Sequence, residues 1–346
     1  MSQVQQLRKE LEKIDTSYGL MSLTWRAEPI PKEQAFAAME KVISFAIENN
    51  RKAFFNIGEF YGPNWSNLKL VNDFFIANPT LRKNVIISCK GGVNNETLVP
   101  KGKAAQVKQS VEACCKEVGG FIDIYEVARL DLAITPEGKE YPYETFEELA
   151  KLVDDGVIGG ISLSEVNEKQ IRAIHKDWSK FLTCVEVELS LFSTNILHDG
   201  VAKTCGELDL VIICYSPLGR GLLTGQIKSV DDIPDGDFRK LLKRFHGDAM
   251  QQNLLLVKFL KDEIVAKRDP EHPIELTQIA LAWIKHWNKS DQFNGAKFIP
   301  NPSGSSVDKV TENFNEKRTQ LSEAEFEKIN DFLSKFKTEG DRYEMV

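Results

Sequence analysis

The sequence predicts a (β/α)8 barrel of the TIM type, folded as a single domain over residues 1–346. Two observations predict it. Eight apolar runs of strand length recur along the chain, and segments of helical period separate them. Each run is continuous and rich in Val, Ile, Leu and Phe, as strands covered on both faces require. Right-handed crossovers would close such strand–helix units into a barrel. Length agrees: 346 residues would suggest two domains, but barrels of this kind commonly reach that size as one unit.

In order, the runs are YGLMSL at 18–23, AFFNIG at 53–58, VIISCK at 85–90 and FIDIYEVA at 121–128, then GGISLS at 159–164, CVEVELSLF at 184–192, LVIICYS at 210–216 and AKFIP at 296–300. Between them, PKEQAFAAMEKVISFAIENN opens near Pro31, which suits a helix start. ETFEELAKLVDDG ends on Gly156, a candidate C-cap, and NEKQIRAIHKDW and ELTQIALAWIKHWNK carry the same period. The first fifteen residues are polar and helix-like, unlike a secretory signal. Two stretches break the rhythm: a Gly-, Asp- and Lys-rich insertion at 218–250, and the tail TEGDRYEMV, expected to lie outside the barrel. Long insertions of the first type are usually functional or mobile.

Lys and Arg total 44 against 51 Asp and Glu, and the net charge of -7 argues against a nucleic-acid partner. No apolar run approaches the roughly 20 residues of a membrane helix, so a cytoplasmic chain is expected. The six cysteines (89, 114, 115, 184, 205 and 214) form no CxxC pair and read as buried free thiols in a reducing compartment. The five histidines lack zinc spacing and read as surface or packing residues, so no metal is expected.

Active sites of such barrels collect at the C-terminal ends of the strands. Those ends carry Asn56 with Tyr61 just beyond, Lys90, Ala128, Glu165, Glu186 with Glu188, and Tyr215 with Ser216. A phenol and an amine on adjacent strands have a chemical use. Tyrosine gives up its proton near pH ~10, a neighbouring ammonium lowers that value, and the pair can then protonate a developing alkoxide. The alternatives are a buried tyrosine hydrogen bond beside a snorkelling lysine, or a glycoside hydrolase drawing on Glu59, Glu126, Glu186 and Glu188. Three glycines in the loop 218–225 would let backbone N–H groups approach a pyrophosphate, without the spacing of a Rossmann turn.

FFNIGEFYGP resembles the aldo-keto reductase signature Phe-Asp-Thr-Ala-x-x-Tyr-Gly, and VIISCKGG, SLSEVN, YSPLGRGLLTG and FIPNPSGSSVDKVTENF resemble further segments of that family. The resemblance runs in order from about residue 16 to 335. It implies a barrel that holds NADPH and passes hydride to an aldehyde, with Tyr61 as proton donor beside Lys90. It further implies that Ser164, Glu165 and Glu186 face the nicotinamide carboxamide and Tyr215 stacks on the ring. Ser216, Leu218, Gly219 and Gly221 would fold over the cofactor. Ser303, Ser305 and Lys309 would take its phosphates, with Glu312 and Asn313 at the adenine. Trp25, Phe60 and Trp65 are candidate substrate walls, and Arg129 and Asp131 are polar pocket contacts or, the favoured reading, a loop ion pair.

GLMSLTWR, FNIGEFYGP, YEVARLD and GDRYEMV resemble the fungal pyridoxal reductases within the family. That implies pyridoxal as substrate; a broad aldehyde reductase and a non-catalytic NADPH-binding barrel, like those associated with potassium channels, are the alternatives. The sequence departs from the family's catalytic Asp, Tyr, Lys and His at two places, Asn56 and Ala128, and Glu186 replaces a carboxamide-binding Gln. Loss of the carboxylate at 56 predicts that Lys90 titrates lower than in a typical member of the family and that its charge acts less diluted on Tyr61. Loss of the imidazole at 128 opens space at the substrate. Pyridoxal carries its own phenolic hydroxyl beside the aldehyde, which can stand in for that donor.

Overall fold

The computed structural model describes residues 2–346. Its strands are β1 (Tyr18–Gly19), β2 (Ala53–Gly58), β3 (Val85–Gly91), β4 (Ile124–Val127), β5 (Ile161–Ser164), β6 (Leu182–Glu188), β7 (Val211–Tyr215) and β8 (Phe298–Asn301), all parallel and paired in chain order. The N–H groups of Ser17 and Gly19 donate to the carbonyls of Pro300 and Pro302, each at 3.0 Å, and so close β8 on β1. The helices are α1 (Gln3–Glu12), α2 (Met21–Thr24), α3 (Lys32–Glu48), α4 (Ser66–Ala77), α5 (Ala104–Val118) and α6 (Tyr143–Asp154), then α7 (Glu168–Trp178), α8 (Val201–Glu207), α9 (Gly247–Glu263), α10 (Leu276–His286), α11 (Val307–Asn313) and α12 (Glu323–Lys335). The expected (β/α)8 barrel is therefore present.

Two strands, the first and the sixth, end four residues before their apolar runs do. The first pairs only at 18–19, after which Leu20 donates to the Asn56 carbonyl at 2.9 Å and residues 21–24 coil into α2. The sixth stops at Glu188, although Leu189, Leu191 and Phe192 stay buried under the loop that follows. Buried loops keep apolar residues, so composition alone overran both strand ends.

Side chains on a strand alternate between faces. Phe55, Ile57, Ile87, Cys89, Tyr125, Leu163, Val185, Ile212 and Phe298 face outward and pack on the helices. Phe54, Ile86, Ile124, Cys184, Val211, Ile213 and Ile299 face inward and meet Leu7, Leu11 and Ile14. Burying such side chains stabilises the fold by about 1.5–3 kcal/mol each. The N-terminal segment thus plugs one end of the barrel, with α1 capped reciprocally by Ser2 and Gln5. Two residues further along each inward row come Asn56, Ser88 with Lys90, Glu126 with Ala128, Glu186 with Glu188, and Tyr215. The interior is consequently apolar at its N-terminal end and polar at the other.

The tail lies beyond the last helix and outside the eight strand–helix units, yet it is tied down at the barrel mouth. Lys243 N–H donates to the Glu344 carbonyl at 2.9 Å, Val346 N–H to Leu241 at 3.0 Å, and the Asn253 side chain holds both main-chain groups of Glu339. The tail is stitched to the 218–250 insertion, and Arg342 reaches back into the barrel mouth to Glu188 at 3.2 Å. Unpaired backbone at 241–243 offers a strand edge, and the last residues complete it.

All six cysteines are free; five are buried and Cys115 is partly exposed. His286 is buried and stacks on Phe326 with centroids 4.1 Å apart, a packing role. Among the described residues no His, Cys, Asp and Glu cluster could hold a metal, and no helix is long and apolar enough to cross a membrane.

Candidate active site

Tyr61 is placed by the turn that ends β2. Its N–H returns to the Gly58 carbonyl at 3.2 Å and its carbonyl accepts from Thr24 Oγ1 at 2.6 Å. The ring lies over Gly58, where a Cβ would sit only 3.0 Å from ring carbons. Trp25 stacks on Tyr61 with centroids 6.1 Å apart, and Phe60 meets it edge-on at 5.0 Å. Two of the three expected aromatic walls therefore gather at the phenol. Trp65 instead leads into α4 with a left-handed backbone and packs against the hydrophobic core.

Lys90 stands beside the phenol on β3, as the sequence predicted, but its surroundings differ from the expectation. Its ammonium lies 2.7 Å from Glu186 Oε1 and 3.0 Å from Glu126 Oε1. The other oxygen of Glu186 accepts from Asn56 Nδ2 at 2.6 Å. A counter-charge missing from β2 is thus supplied by β4 and β6. Burial opposes the charged lysine, but the two carboxylates outweigh it and hold the Lys90 pKa well above its ordinary value. The premise of a lysine without a counter-charge fails, because alternation points Glu126 and Glu186 inward at the same level. Nor does Lys90 act undiluted on Tyr61. Burial pushes the phenol up, the ammonium opposes it, and both glutamates reinforce the rise. The expectation of an acidified tyrosine is corrected: the site holds a protonated phenol ready to donate, which is the state a proton donor needs.

Ala128, on the next inward row, is buried, and its N–H is bound to the Gly91 carbonyl at 3.0 Å. No imidazole approaches the phenol from β4. Arg129 does not pair with Asp131. It lies 3.9 Å from Glu165, while Asp131 accepts from the Gly102 N–H at 3.0 Å. The loop ion pair expected there is therefore replaced by one directed into the mouth.

At the ends of β5 and β7, Ser164 Oγ and Glu165 Oε1 are buried without a hydrogen-bond partner. Glu165 also pairs with Arg342 through its other oxygen. The Tyr215 ring has Lys90 Nζ 5.6 Å from its centroid, and its hydroxyl meets that of Tyr343 at 3.2 Å. An unpartnered hydroxyl and carboxylate beside an aromatic ring fit a nicotinamide, whose carboxamide supplies both a donor and an acceptor. Ser216 and Arg220 adopt left-handed backbone around the turn that carries Leu218, Gly219 and Gly221. Glu186, assigned to the same carboxamide by resemblance, has both oxygens engaged by Asn56 and Lys90.

The residues expected at the cofactor's phosphates lie on the turn after β8. Ser303 Oγ donates to the Gly19 carbonyl at 3.0 Å, and Lys309 reaches Ser305 Oγ at 3.4 Å from an exposed position. Lys309 is thus free to meet a phosphate. Glu312 is partly exposed, whereas Asn313 is buried and donates to the Ser303 carbonyl at 3.0 Å. Asn313 shapes the turn from within.

Three residues of the site were not singled out from the sequence: Glu126 as a partner of Lys90, and Arg342 and Tyr343 of the tail. The first had a signal, since it lies two positions before Ala128 on the same face. The tail residues had none, because their partners are more than a hundred residues away. The hydrolase alternative loses its carboxylates. Glu59 accepts from Val93 N–H at 3.0 Å and Ser110 Oγ at 2.7 Å, bracing a loop, and Glu188 is held by Ser193 and Arg342. Glu126 and Glu186 are committed to Lys90.

A family model described as "Aldo/keto reductase family" matches residues 16–334. A Saccharomyces cerevisiae protein named "Putative pyridoxal reductase" is 62% identical over 343 residues, covering 99% of each chain. "Probable pyridoxal reductase 2" of Schizosaccharomyces pombe is 31% identical, covering 94% of this chain and 93% of its own. Among solved structures, a glycerol dehydrogenase from Gluconobacter oxydans superposes with a TM-score of 0.72 at 17% identity, over 96% of this chain and 94% of that one, which supports the fold.

Proposed function

The chain belongs to the aldo/keto reductase family of oxidoreductases, and from that premise we propose that it reduces pyridoxal to pyridoxine with NADPH. The observation that carries the proposal is the buried Tyr61 phenol, kept protonated beside the Lys90 ammonium at the mouth of the barrel. The relatives' names supply the substrate, and the aromatic walls of Trp25 and Phe60 suit its flat ring.

When bound, the reduced nicotinamide supplies the hydride. The chain's own residues do the rest. Trp25 and Phe60, packed on Tyr61, wall the aldehyde beside the phenol, and Ser164, Glu165 and Tyr215 orient the cofactor ring. Tyr61 gives its proton to the carbonyl oxygen as negative charge grows there. Lys90 stabilises the phenolate left behind. With alanine at 128, the substrate's own phenolic hydroxyl serves as the second donor to that oxygen.

NADPH oxidation should be measured with pyridoxal, with an analogue lacking the ring hydroxyl, and with benzaldehyde. Pyridoxal should lead in kcat/KM. Equal kcat/KM for the analogue would reject the internal donor, and binding of NADPH with no turnover of any aldehyde would reject the enzyme. Lys309→Met should weaken NADPH binding about tenfold, or ~1.4 kcal/mol, and leave NADH binding unchanged. Equal losses for both cofactors would remove Lys309 from the 2′-phosphate.

A further inference from the structure

The Lys90 ammonium is flanked by two carboxylates, and among the described residues no second cation reaches them. Glu126 and Glu186 are each 1% exposed, so water does not share their charge. The groups facing them are neutral on every other strand. Asn56 stands on β2, Ser88 lies 3.5 Å from Glu126 on β3, and Ser162 and Ser164 line β5. The Cys184 thiol below Glu186 is pushed up to about 12 by burial, and Tyr61 and Tyr215 are likewise kept protonated. Glu188, the next inward carboxylate on β6, is taken by Arg342 and Ser193. Two adjacent buried carboxyls with one counter-ion cannot both ionise cheaply; such pairs hold one proton between them.

The hydrogen bonds say where that proton sits. Both oxygens of Glu186 receive donors, Asn56 on one and Lys90 on the other. Glu126 has no donor aligned on Oε1, and burial together with the neighbouring Glu186 raises its pKa well above the carboxylate range. An asparagine at 56 is what this arrangement needs. It donates to Glu186, where an aspartate would bring a third negative charge.

We propose that Glu126 and Glu186 share one proton and that this proton reloads Tyr61 through Lys90 during aldehyde reduction. The inference rests on the reductase activity proposed above. Hydride forms the new C–H bond at the carbonyl carbon and leaves an alkoxide oxygen. The Tyr61 O–H breaks as the alcohol O–H forms. Lys90 then passes one Nζ proton to the phenolate and recovers it from the Glu126 carboxyl, whose O–H breaks. The carboxyl pair ends one proton short and one unit more negative, offsetting the positive charge gained by the oxidised cofactor. Solvent restores the proton once product has left. Glu126 is on this account a positioning residue that acts through Lys90.

Infrared difference spectroscopy on the cofactor-free protein at neutral pH tests proton sharing without any substrate. The wild type should show the C=O stretch of a buried protonated carboxyl. Glu126→Gln should remove it. Glu186→Gln should remove it too, because Glu126 alone would ionise against Lys90. A wild type without the band, or a band that survives in Glu186→Gln, overturns the sharing. In turnover, Glu126→Gln should lower kcat on the order of 10²-fold, with the KM for aldehyde and the Kd for NADPH unchanged. It should also abolish the fall in wild-type kcat that accompanies deprotonation of the pair at high pH. A variant with wild-type kcat and pH profile overturns the relay and leaves pyridoxal reduction standing. Failure of the wild type to reduce any aldehyde overturns the relay together with the proposed activity, while the infrared band still decides the shared proton.

Discussion

Tyr61→Phe should reduce aldehyde turnover about 10²–10⁴-fold, a loss of ~3–5 kcal/mol of transition-state stabilisation. The ring remains in the variant, so its stack on Trp25 and its edge contact with Phe60 are kept. The protein should therefore melt within a degree or two of wild type, a shift of about 0.5 kcal/mol or less, and bind NADPH with the same Kd. Only the proton is missing. The measurement is NADPH oxidation at saturating pyridoxal, with fluorescence quenching as the binding control. Unchanged turnover would remove Tyr61 as the donor.

Lys90→Met should damage both stability and turnover, and its stability loss should depend on pH. Removing the ammonium leaves Glu126 and Glu186 buried with no cation, a situation that costs about 3–5 kcal/mol. In the wild type the native pKa of Lys90 is raised above 10.5. Its contribution is therefore fully present below pH 10.5 and is lost as pH rises through the higher native value. In the variant the pair must hold two protons where it held one. Glu126 already has a native pKa raised above 4.5. Stability tied to such a proton is present below 4.5 and is lost as pH climbs toward the native value. The deficit of Lys90→Met should accordingly be small near pH 5 and largest at pH 8. Denaturant unfolding at the two pH values checks this, and equal deficits would show that the carboxyl pair does not drive the loss.

Much of the molecule was legible along the chain. Continuous apolar runs marked the eight strands, and six of them lie within a few residues of the structure's strands. The overruns at 18–23 and 184–192 share a cause, because residues such as Leu23 and Leu191 are buried without being in a sheet. The positions of Tyr61, just beyond β2, and Lys90, near the end of β3, were also readable, and period-two alternation fixes that Lys90 faces inward. Their electrostatics were not. Asn56 marks a lost counter-charge at one position along the chain, whereas the charge stands on residues 36 and 96 positions beyond Lys90.

Local pattern therefore determined the barrel, its strand order and the strand ends where the phenol and the amine stand, because alternation and helical period act over a few residues. Tertiary structure alone decided which charges share the barrel interior, how Arg342 and Tyr343 of the tail close on Glu165, Glu188 and Tyr215, and that Arg129 turns to Glu165. Electrostatic energy in a buried site depends on distance through space. Barrel closure links side chains from β2, β3, β4 and β6 through contacts of 2.6, 2.7 and 3.0 Å, and no separation along the chain records that.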